Sequence, residues 1–189
     1  MTLTELLVSS VLIGIVMLGV VSVEYASKRA QENISRRSIA TARVSSMMLH
    51  MAKNAALTVG DVTNIGIQTG GTGNSSYSCF RQDVPQTPDV YSDDTWVCYT
   101  LRTTNVLYTC NNQPSPTFCA DTNTTIRTLG SATAFTVTYT PSSSTQDNKV
   151  TISLTSLYDS SSPYDASDPS KNPRVIMTAE VNPMGHTYF

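Results

Sequence analysis

Residues 1–23 read MTLTELLVSSVLIGIVMLGVVSV, and this stretch decides the fold. It is an apolar run whose single charged side chain is Glu5. At 1.5 Å per residue, a helix of this length spans about 35 Å, which is enough to cross a bilayer. No basic residue precedes the apolar side chains, although a secretory signal needs one. We therefore expect the run to stay in the working protein as a permanent helix.

The helix is predicted to continue well beyond the apolar run. Residues 24–57 contain neither proline nor glycine and are rich in helix-forming side chains. Apolar or small side chains recur every three to four residues, which indicates one face packed on a sheet. That predicted face comprises Ile34, Thr41 or Ala42, Val44, Met48, Met51 and Ala55. A helix of about 80 Å is too long for the remaining domain to cover, so its first half must protrude.

The rest of the chain predicts an antiparallel sheet. Residues 96–110 have the β-branched and aromatic composition of a hairpin. Alternating apolar and polar residues mark three further strands, Ala134–Thr140, Lys149–Tyr158 and Arg174–Val181. The predicted fold class is therefore α+β, with the second half of a long N-terminal helix packed on a four- to five-stranded antiparallel sheet.

This interpretation divides the chain into two parts. Residues 1–27 form the protruding transmembrane or core helix, and residues 28–189 form the globular domain. Within the domain, the amphipathic half of the helix, a connecting loop, and the sheet with its loops follow in order. They occupy residues 28–57, 58–94 and 95–189.

The charge of the chain argues against a nucleic-acid partner. The formal net charge is −2, and only 14% of the residues are charged. The basic side chains do cluster after the apolar run, and we interpret them as the solvated flank of a helix leaving the membrane. Binding of lipid phosphate or DNA is the alternative. The cluster consists of Lys28, Arg29, Arg36, Arg37, Arg43 and Lys53.

Four cysteines lie within a short stretch after the helix. An even number in a small domain suggests two disulfides and an oxidising compartment. Three pairings are possible, and we favour Cys79–Cys98 with Cys110–Cys119, because each bond closes a local loop. Zinc is the rival, but the sequence has no CxxC pair and both histidines are distant.

Two glycines interrupt the apolar run. Gly14 and Gly19 each lower helix stability by about 1 kcal/mol relative to alanine. Small residues allow helices to pack closely, as they do in membrane bundles. The alternative is a segment that melts locally and lengthens.

No motif supports catalysis. The sequence lacks a recognisable Ser-His-Asp arrangement, a phosphate-binding glycine loop and HExxH. We expect no enzyme activity and no cofactor, with His50 on the helix surface and His186 near the C-terminus. Three carboxylates in one loop are weak candidates for calcium, but their spacing is not that of an EF-hand, and a solvated turn is the preferred interpretation. They are Asp159, Asp165 and Asp168.

The opening stretch resembles the mature N-terminus of type IV pilins and of the related type II secretion pseudopilins. The matching residues are Met1, Thr2, Leu3, Glu5 and Gly14. The close resemblance covers about 25 residues, and the rest agrees in architecture only. The chain has Ser22 where many type IV pilins have proline, and no cysteine follows Cys119 to bound the usual C-terminal loop. These departures leave the pilin subtype open.

The resemblance implies a particular assembly chemistry. A prepilin peptidase removes a short basic leader that precedes this numbering, and the amine of Met1 is then methylated. Met1, Thr2 and Glu5 form the assembly site, where the Glu5 carboxylate neutralises the Met1 amine of a neighbouring subunit or of its own. Inner-membrane machinery moves the helix from lipid into the core of an extracellular filament of identical subunits. Twitching motility and cell adhesion are among the roles that such filaments have.

Two alternatives to a major pilin remain open at this point. The first is a low-copy minor pilin or secretion pseudopilin, which the abundance of the chain in purified filaments would distinguish. The second is a membrane-anchored enzyme or binding module, in which replacing Glu5 would have no effect on assembly.

Overall fold

A computed structural model of the chain describes residues 2–61, 63–71, 76–84, 86–87, 90–141, 148–183 and 185–186. Within these residues one helix, α1 (Leu3–Ala56), is followed by ten strands. The strands are β1 (Val59–Gly60), β2 (Ile67–Gly70), β3 (Tyr77–Gln82), β4 (Thr95–Leu101), β5 (Val106–Gln113), β6 (Ile126–Ser131), β7 (Ala134–Thr140), β8 (Lys149–Leu157), β9 (Arg174–Val181) and β10 (Gly185–His186).

Helix α1 is continuous over 54 residues, including both glycines, which makes it about 80 Å long. At its start, the carbonyl of Thr2 accepts hydrogen bonds from the backbone N–H groups of Glu5 and Leu6, at 3.1 and 3.3 Å. At its end, the hydroxyl of Thr58 donates to the carbonyl of Asn54 at 3.0 Å. Both ends therefore satisfy backbone groups that a helix terminus leaves without partners.

The strands form two antiparallel sheets and one short parallel pair. The larger sheet has the order β2-β3-β4-β5-β6, the smaller has the order β7-β8-β9, and β1 pairs with β10. The second half of α1 packs mainly on β8 and β9, with further contacts to β3 and β6. The predicted α+β class, with half of a long helix packed on antiparallel strands, is confirmed.

The buried face of α1 differs in part from the predicted one. Val44, Met48, Met51 and Ala55 are buried as predicted. Ile34 is 70% exposed, and Thr41 and Ala42 are exposed as well, so their place on that face was predicted wrongly. Ala40 and Met47 are buried instead. The predicted spacing of three to four residues between buried side chains was correct. The sheets, however, begin to cover the helix at Ala40, about two turns beyond Ile34.

Close packing of α1 on β6 depends on Gly130. A Cβ atom at this position would lie 2.9 Å from the sulfur of Met47, which is nearer than side chains ordinarily approach. The absence of a side chain therefore lets a buried methionine of the helix lie directly against the strand. This contact joins the larger sheet to the same core as β8 and β9.

Strands β7, β8 and β9 match their predicted ranges closely. In β8, Val150, Ile152 and Leu154 are all fully buried, as the alternating pattern predicts. In β9, the predicted inner face is the partly buried one, and its side chains pack against the core. That face consists of Val175, Met177, Ala179 and Val181.

The prediction of an unbroken connecting loop over residues 58–94 is wrong. Strands β1, β2 and β3 lie within it, and β3 pairs in register with β4. Four consecutive residues of β3 are buried, so the strand lacks the alternation that identifies a half-exposed strand. Strand β6 was not among the predicted strands, and its glycine weakens the alternating pattern there.

Candidate assembly interface

The first half of α1 has no packing partner within the chain. All residues from Thr2 to Glu32 are exposed, and the first buried residue is Ala40. Leu3 is 84% exposed and Leu18 is 73% exposed. This part of the helix is long and apolar enough to cross a membrane, and none of its most apolar window is buried. So large an apolar surface is stable only against lipid or against other helices.

Glu5 lies at the beginning of this exposed helix and caps it. The backbone N–H of Thr2 donates to Oε2 of Glu5 at 2.8 Å. A carboxylate in the first turn also interacts favourably with the positive end of the helix dipole. The Thr2 hydroxyl lies 3.0 Å from the hydroxyl of Thr4. Two of the three predicted assembly residues, Thr2 and Glu5, are therefore in contact, and Met1 lies outside the described residues.

The serines of the apolar run present no free hydroxyl to lipid. Ser9 donates to the carbonyl of Glu5, Ser10 to that of Leu7, and Ser22 to that of Gly19, each at 2.8 Å. Such bonds satisfy hydroxyl groups where water is absent. The carboxylate of Glu5 is then the only ionic group on the described surface of α1 before Glu24.

Both glycines of the run lie within regular helix. A Cβ atom added to Gly14 or Gly19 would meet nothing within 4 Å. Packing within the subunit therefore gives no reason for either glycine. Close approach by another helix and local melting both remain as predictions for these positions.

The basic flank holds a loop against the helix. Nη2 of Arg29 lies 3.7 Å from a carboxylate oxygen of Asp168. Arg36 donates to the carbonyl of Lys171 at 3.0 Å, and Arg43 donates to that of Tyr158 at 3.1 Å. Three of the six clustered cations therefore position the loop that connects β8 to β9, so they are not simply a solvated face.

The three aspartates of this loop bind its own serines. Hydrogen bonds from Ser161 and Ser162 hold the pKa of the Asp159 carboxyl below its ordinary value. Ser167 does the same for the pKa of Asp165, and Ser170, together with other groups, for that of Asp168. Each serine follows its aspartate by two or three residues, so these are local turns.

The three aspartates do not form a common metal site. Among the described residues, no three Asp, Glu, His or Cys side chains are grouped so that they could hold a metal ion. Asn172 is the buried residue that closes the loop, since its side-chain amide donates to the carbonyls of Asp159 and Ser162. The loop therefore keeps its shape through protein hydrogen bonds.

The four cysteines form two disulfides on the larger sheet. Cys79 in β3 is bonded to Cys98 in β4, and Cys110 in β5 is bonded to Cys119 in the following loop. All four are fully buried and pack around Trp96. These bonds constrain the larger sheet within a cluster separate from the core that α1 joins, and disulfides of this kind are typical of domains in oxidising compartments.

A polar cluster that was not predicted from the sequence joins α1 to strand β4. The hydroxyl of Tyr99 lies 2.9 Å from Nδ1 of His50 and accepts a hydrogen bond from the side-chain amide of Asn54 at 2.7 Å. Burial raises the pKa of Tyr99 far above its ordinary value and lowers the pKa of His50, with a further contribution from Lys53. His50 is thus half-buried and bonded, which corrects its predicted place on the solvated surface. The spacing of His50 and Asn54, one turn apart, was the available signal.

A search of protein families, of curated proteins and of solved structures finds no match to this chain. The functional assignment therefore depends on the geometry of the exposed helix and on the residues at its N-terminus.

Proposed function

We propose that the chain is the major structural subunit of a type IV pilus-like extracellular filament. The observation that carries this proposal is the exposed apolar half of α1, with Glu5 alone at its start. Before assembly this half-helix lies in the inner membrane. After assembly it lies in the filament core against copies of itself, so that lipid is exchanged for helix surface of similar polarity. The chain acts as a building block, with no catalytic role and no cofactor.

The Glu5 carboxylate serves as the docking group. In the single subunit it accepts a hydrogen bond from the Thr2 amide, and no cation pairs with it among the residues that the structure describes, which begin at Thr2. In a water-free helix bundle, an unpaired charge costs several kcal/mol, and an oppositely charged partner is strongly favoured. The methylated amine of Met1 in a neighbouring subunit is that partner. Each incoming subunit therefore stops where its amine and an acid meet, which defines the register of the filament.

The globular domain forms the outer layer of the filament. The disulfides stabilise a domain that leaves the reducing cytoplasm, and this agrees with an extracellular location. A prepilin peptidase and the inner-membrane assembly machinery are the partners before and during assembly. Since the formal net charge is −2 and three of the six clustered cations contact the chain's own loop, we propose no specific nucleic-acid partner.

The test separates the charge of Glu5 from its capping role. Glu5→Gln keeps an oxygen that can accept the Thr2 N–H but removes the charge. We expect filament yield to fall about a hundred-fold or more, because a buried amine left unpaired costs about 3–5 kcal/mol. Glu24→Gln, on the same exposed helix, is the matched control and should assemble normally. Yield is measured by shearing, sedimentation and electron microscopy.

Three results would contradict the proposal. The first is wild-type assembly of Glu5→Gln in the same register. The second is a Met1 that mass spectrometry finds unmethylated and still attached to a preceding leader. The third is purified filaments in which this chain is a trace component, which would replace the major subunit by a minor pilin or pseudopilin.

A further inference from the structure

A charged cleft lies between α1 and the loop that follows β8. Its volume is about 370 Å³, and residues that are more than 130 positions apart in the sequence line it. Its charged members are four cations and two carboxylates, which gives a net charge of +2 at neutral pH. They are Lys28, Arg29, Arg36, Lys171, Glu32 and Asp168.

The carboxylates of the cleft do not neutralise its cations. Asp168 is shared between Arg29 at 3.7 Å and Lys171 at 3.4 Å. Glu32 lies 3.6 Å from Arg36 one turn along the helix. Among the described residues, no carboxylate lies within 4.0 Å of Lys28, which is exposed. The cleft therefore presents the ammonium groups of Lys28 and Lys171 beside an arginine, an arrangement suited to a phosphate group.

The position of the cleft along α1 indicates where such a phosphate would come from. Residues Leu3–Val23 span about 31 Å as a helix, which matches the hydrocarbon thickness of a bilayer. Tyr25 lies two residues after Val23 and also lines the cleft, at the depth where tyrosine is enriched in membrane proteins. Lys28 lies about 7.5 Å beyond Val23 along the axis, at the level of the lipid headgroups.

The fold brings the ammonium group of Lys171 near Arg29, because both contact the carboxylate of Asp168. The carbonyl of Lys171 accepts the hydrogen bond from Arg36, and the loop neighbour Asp168 faces Arg29. Lys171 and Lys28 therefore line the same cleft from the loop and from the helix, although they are 143 positions apart in the sequence. A basic helix flank alone would place its cations on one side only, whereas the docked loop adds a cation on the opposite side of the cleft, where both can contact one phosphate.

We propose that this cleft binds the phosphate of an anionic phospholipid headgroup while the subunit resides in the membrane. Lys28 and Lys171 supply the charge, and Asp168 keeps Arg29 and Lys171 turned toward the cleft. The inference rests on the membrane stage of the proposed function, and it does not depend on filament formation. Bound lipid would fix the domain against the membrane surface and orient the subunit before its extraction.

The experiment measures lipid selectivity with the full-length chain in vesicles. Spin-labelled phosphatidylglycerol and phosphatidylcholine report the ratio of their association constants with the protein, at low ionic strength. We expect a ratio above one for the wild type, and a fall of up to about five-fold for each lysine in Lys28→Gln/Lys171→Gln. The matched control, Lys53→Gln, removes an exposed lysine from the far end of α1 and should retain the wild-type ratio.

Any of the following results would overturn the proposal. An unchanged ratio in the double variant removes the site, and an equal fall in Lys53→Gln reduces it to general surface charge. Loss of selectivity on adding inorganic phosphate, with ionic strength matched by chloride, would assign the cleft to the free ion. If Lys28→Gln/Lys171→Gln kept the wild-type lipid selectivity but formed no filaments, the cleft would bind a carboxylate of another subunit instead of lipid. Failure of the filament proposal appears separately, as normal assembly of Glu5→Gln.

Discussion

At the scale of single residues, the hydroxyl of Tyr99 joins α1 to the larger sheet. It contacts His50 and Asn54 of the helix from a fully buried position in β4. Tyr99→Phe keeps the ring and leaves the half-buried imidazole without this partner. We expect the free energy of unfolding to fall by about 1–3 kcal/mol, the usual effect of a buried polar group left unsatisfied.

Urea unfolding followed through the fluorescence of Trp96, the chain's single tryptophan, measures this change. Tyr108→Phe is the control, because Tyr108 lies on the neighbouring strand β5 with its ring against Arg102, and its hydroxyl has no hydrogen bond among the described residues. An equal loss of stability in both variants would show that the effect comes from removing any tyrosine hydroxyl, and not from the contacts of Tyr99 with His50 and Asn54.

The same scale shows what the sequence can and cannot reveal about the site. Glu5 stands out because a lone carboxylate in an apolar run is conspicuous in any linear pattern. Its hydrogen bond to Thr2 follows from helix geometry and was not predicted, although the Thr-x-x-Glu spacing of a capping box was present. The Tyr99–His50 contact joins two distant elements, so no local periodicity could have predicted it.

At the scale of elements, alternation explains which strands were predicted. Strands β7, β8 and β9 have one face toward the core and one toward solvent, and their ranges were predicted almost to the residue. Strand β3 is buried on both faces and is short, so its pattern does not differ from that of an apolar loop. The buried range of α1 was displaced because helical periodicity identifies a face and not the residue where packing begins.

The cysteines illustrate a second limit at this scale. In the sheet, Cys98 lies opposite Cys79 on one neighbouring strand and opposite Cys110 on the other. Both are positions from which a cross-strand bond could form, so register alone leaves the pairing open. Loop length favoured the pairing that the structure has, since a bond from Cys110 to Cys119 closes the shortest loop.

The two glycines of α1, Gly14 and Gly19, are expected to lower the stability of the helix. Because nothing lies within 4 Å of either position in the single subunit, alanine can be added without strain. Gly14→Ala and Gly19→Ala should each stabilise the helix by about 1 kcal/mol in detergent micelles. Amide hydrogen exchange of residues 15–23 should slow by about five-fold per substitution.

Filament assembly of these glycine variants distinguishes the two roles predicted for the glycines. If amide exchange slowed in Gly14→Ala and Gly19→Ala while filaments assembled normally, close approach of another helix at these positions would not be required. Unchanged exchange would contradict the idea that these glycines loosen the helix at all. Ser10→Ala on the same apolar run is the matched control for a change of side chain without a change of glycine content.

At the scale of the whole molecule, the structure separates a folded domain from an apolar extension. No described residue before Ala40 is buried, and the loop contacts of the helix begin at Arg29. The extension therefore adds nothing to the core, and its apolar surface needs lipid or other subunits. A chain with this division has two separable properties, folding and association, that reside in different parts of one helix.

A chain that begins at Lys28 should accordingly fold as a soluble monomer. Its free energy of unfolding should equal that of the full chain within about 0.5 kcal/mol, because it loses only exposed residues. A chain that begins at Ser45 is the control: it also loses the fully buried Ala40 and Val44, and should be less stable by about 2 kcal/mol or more. Circular dichroism during urea unfolding and light scattering after gel filtration measure both properties. If the chain that begins at Lys28 aggregated or lost its cooperative unfolding transition, residues 1–27 would belong to the folding unit. The division of α1 into a core-forming half and an assembling half would then be wrong.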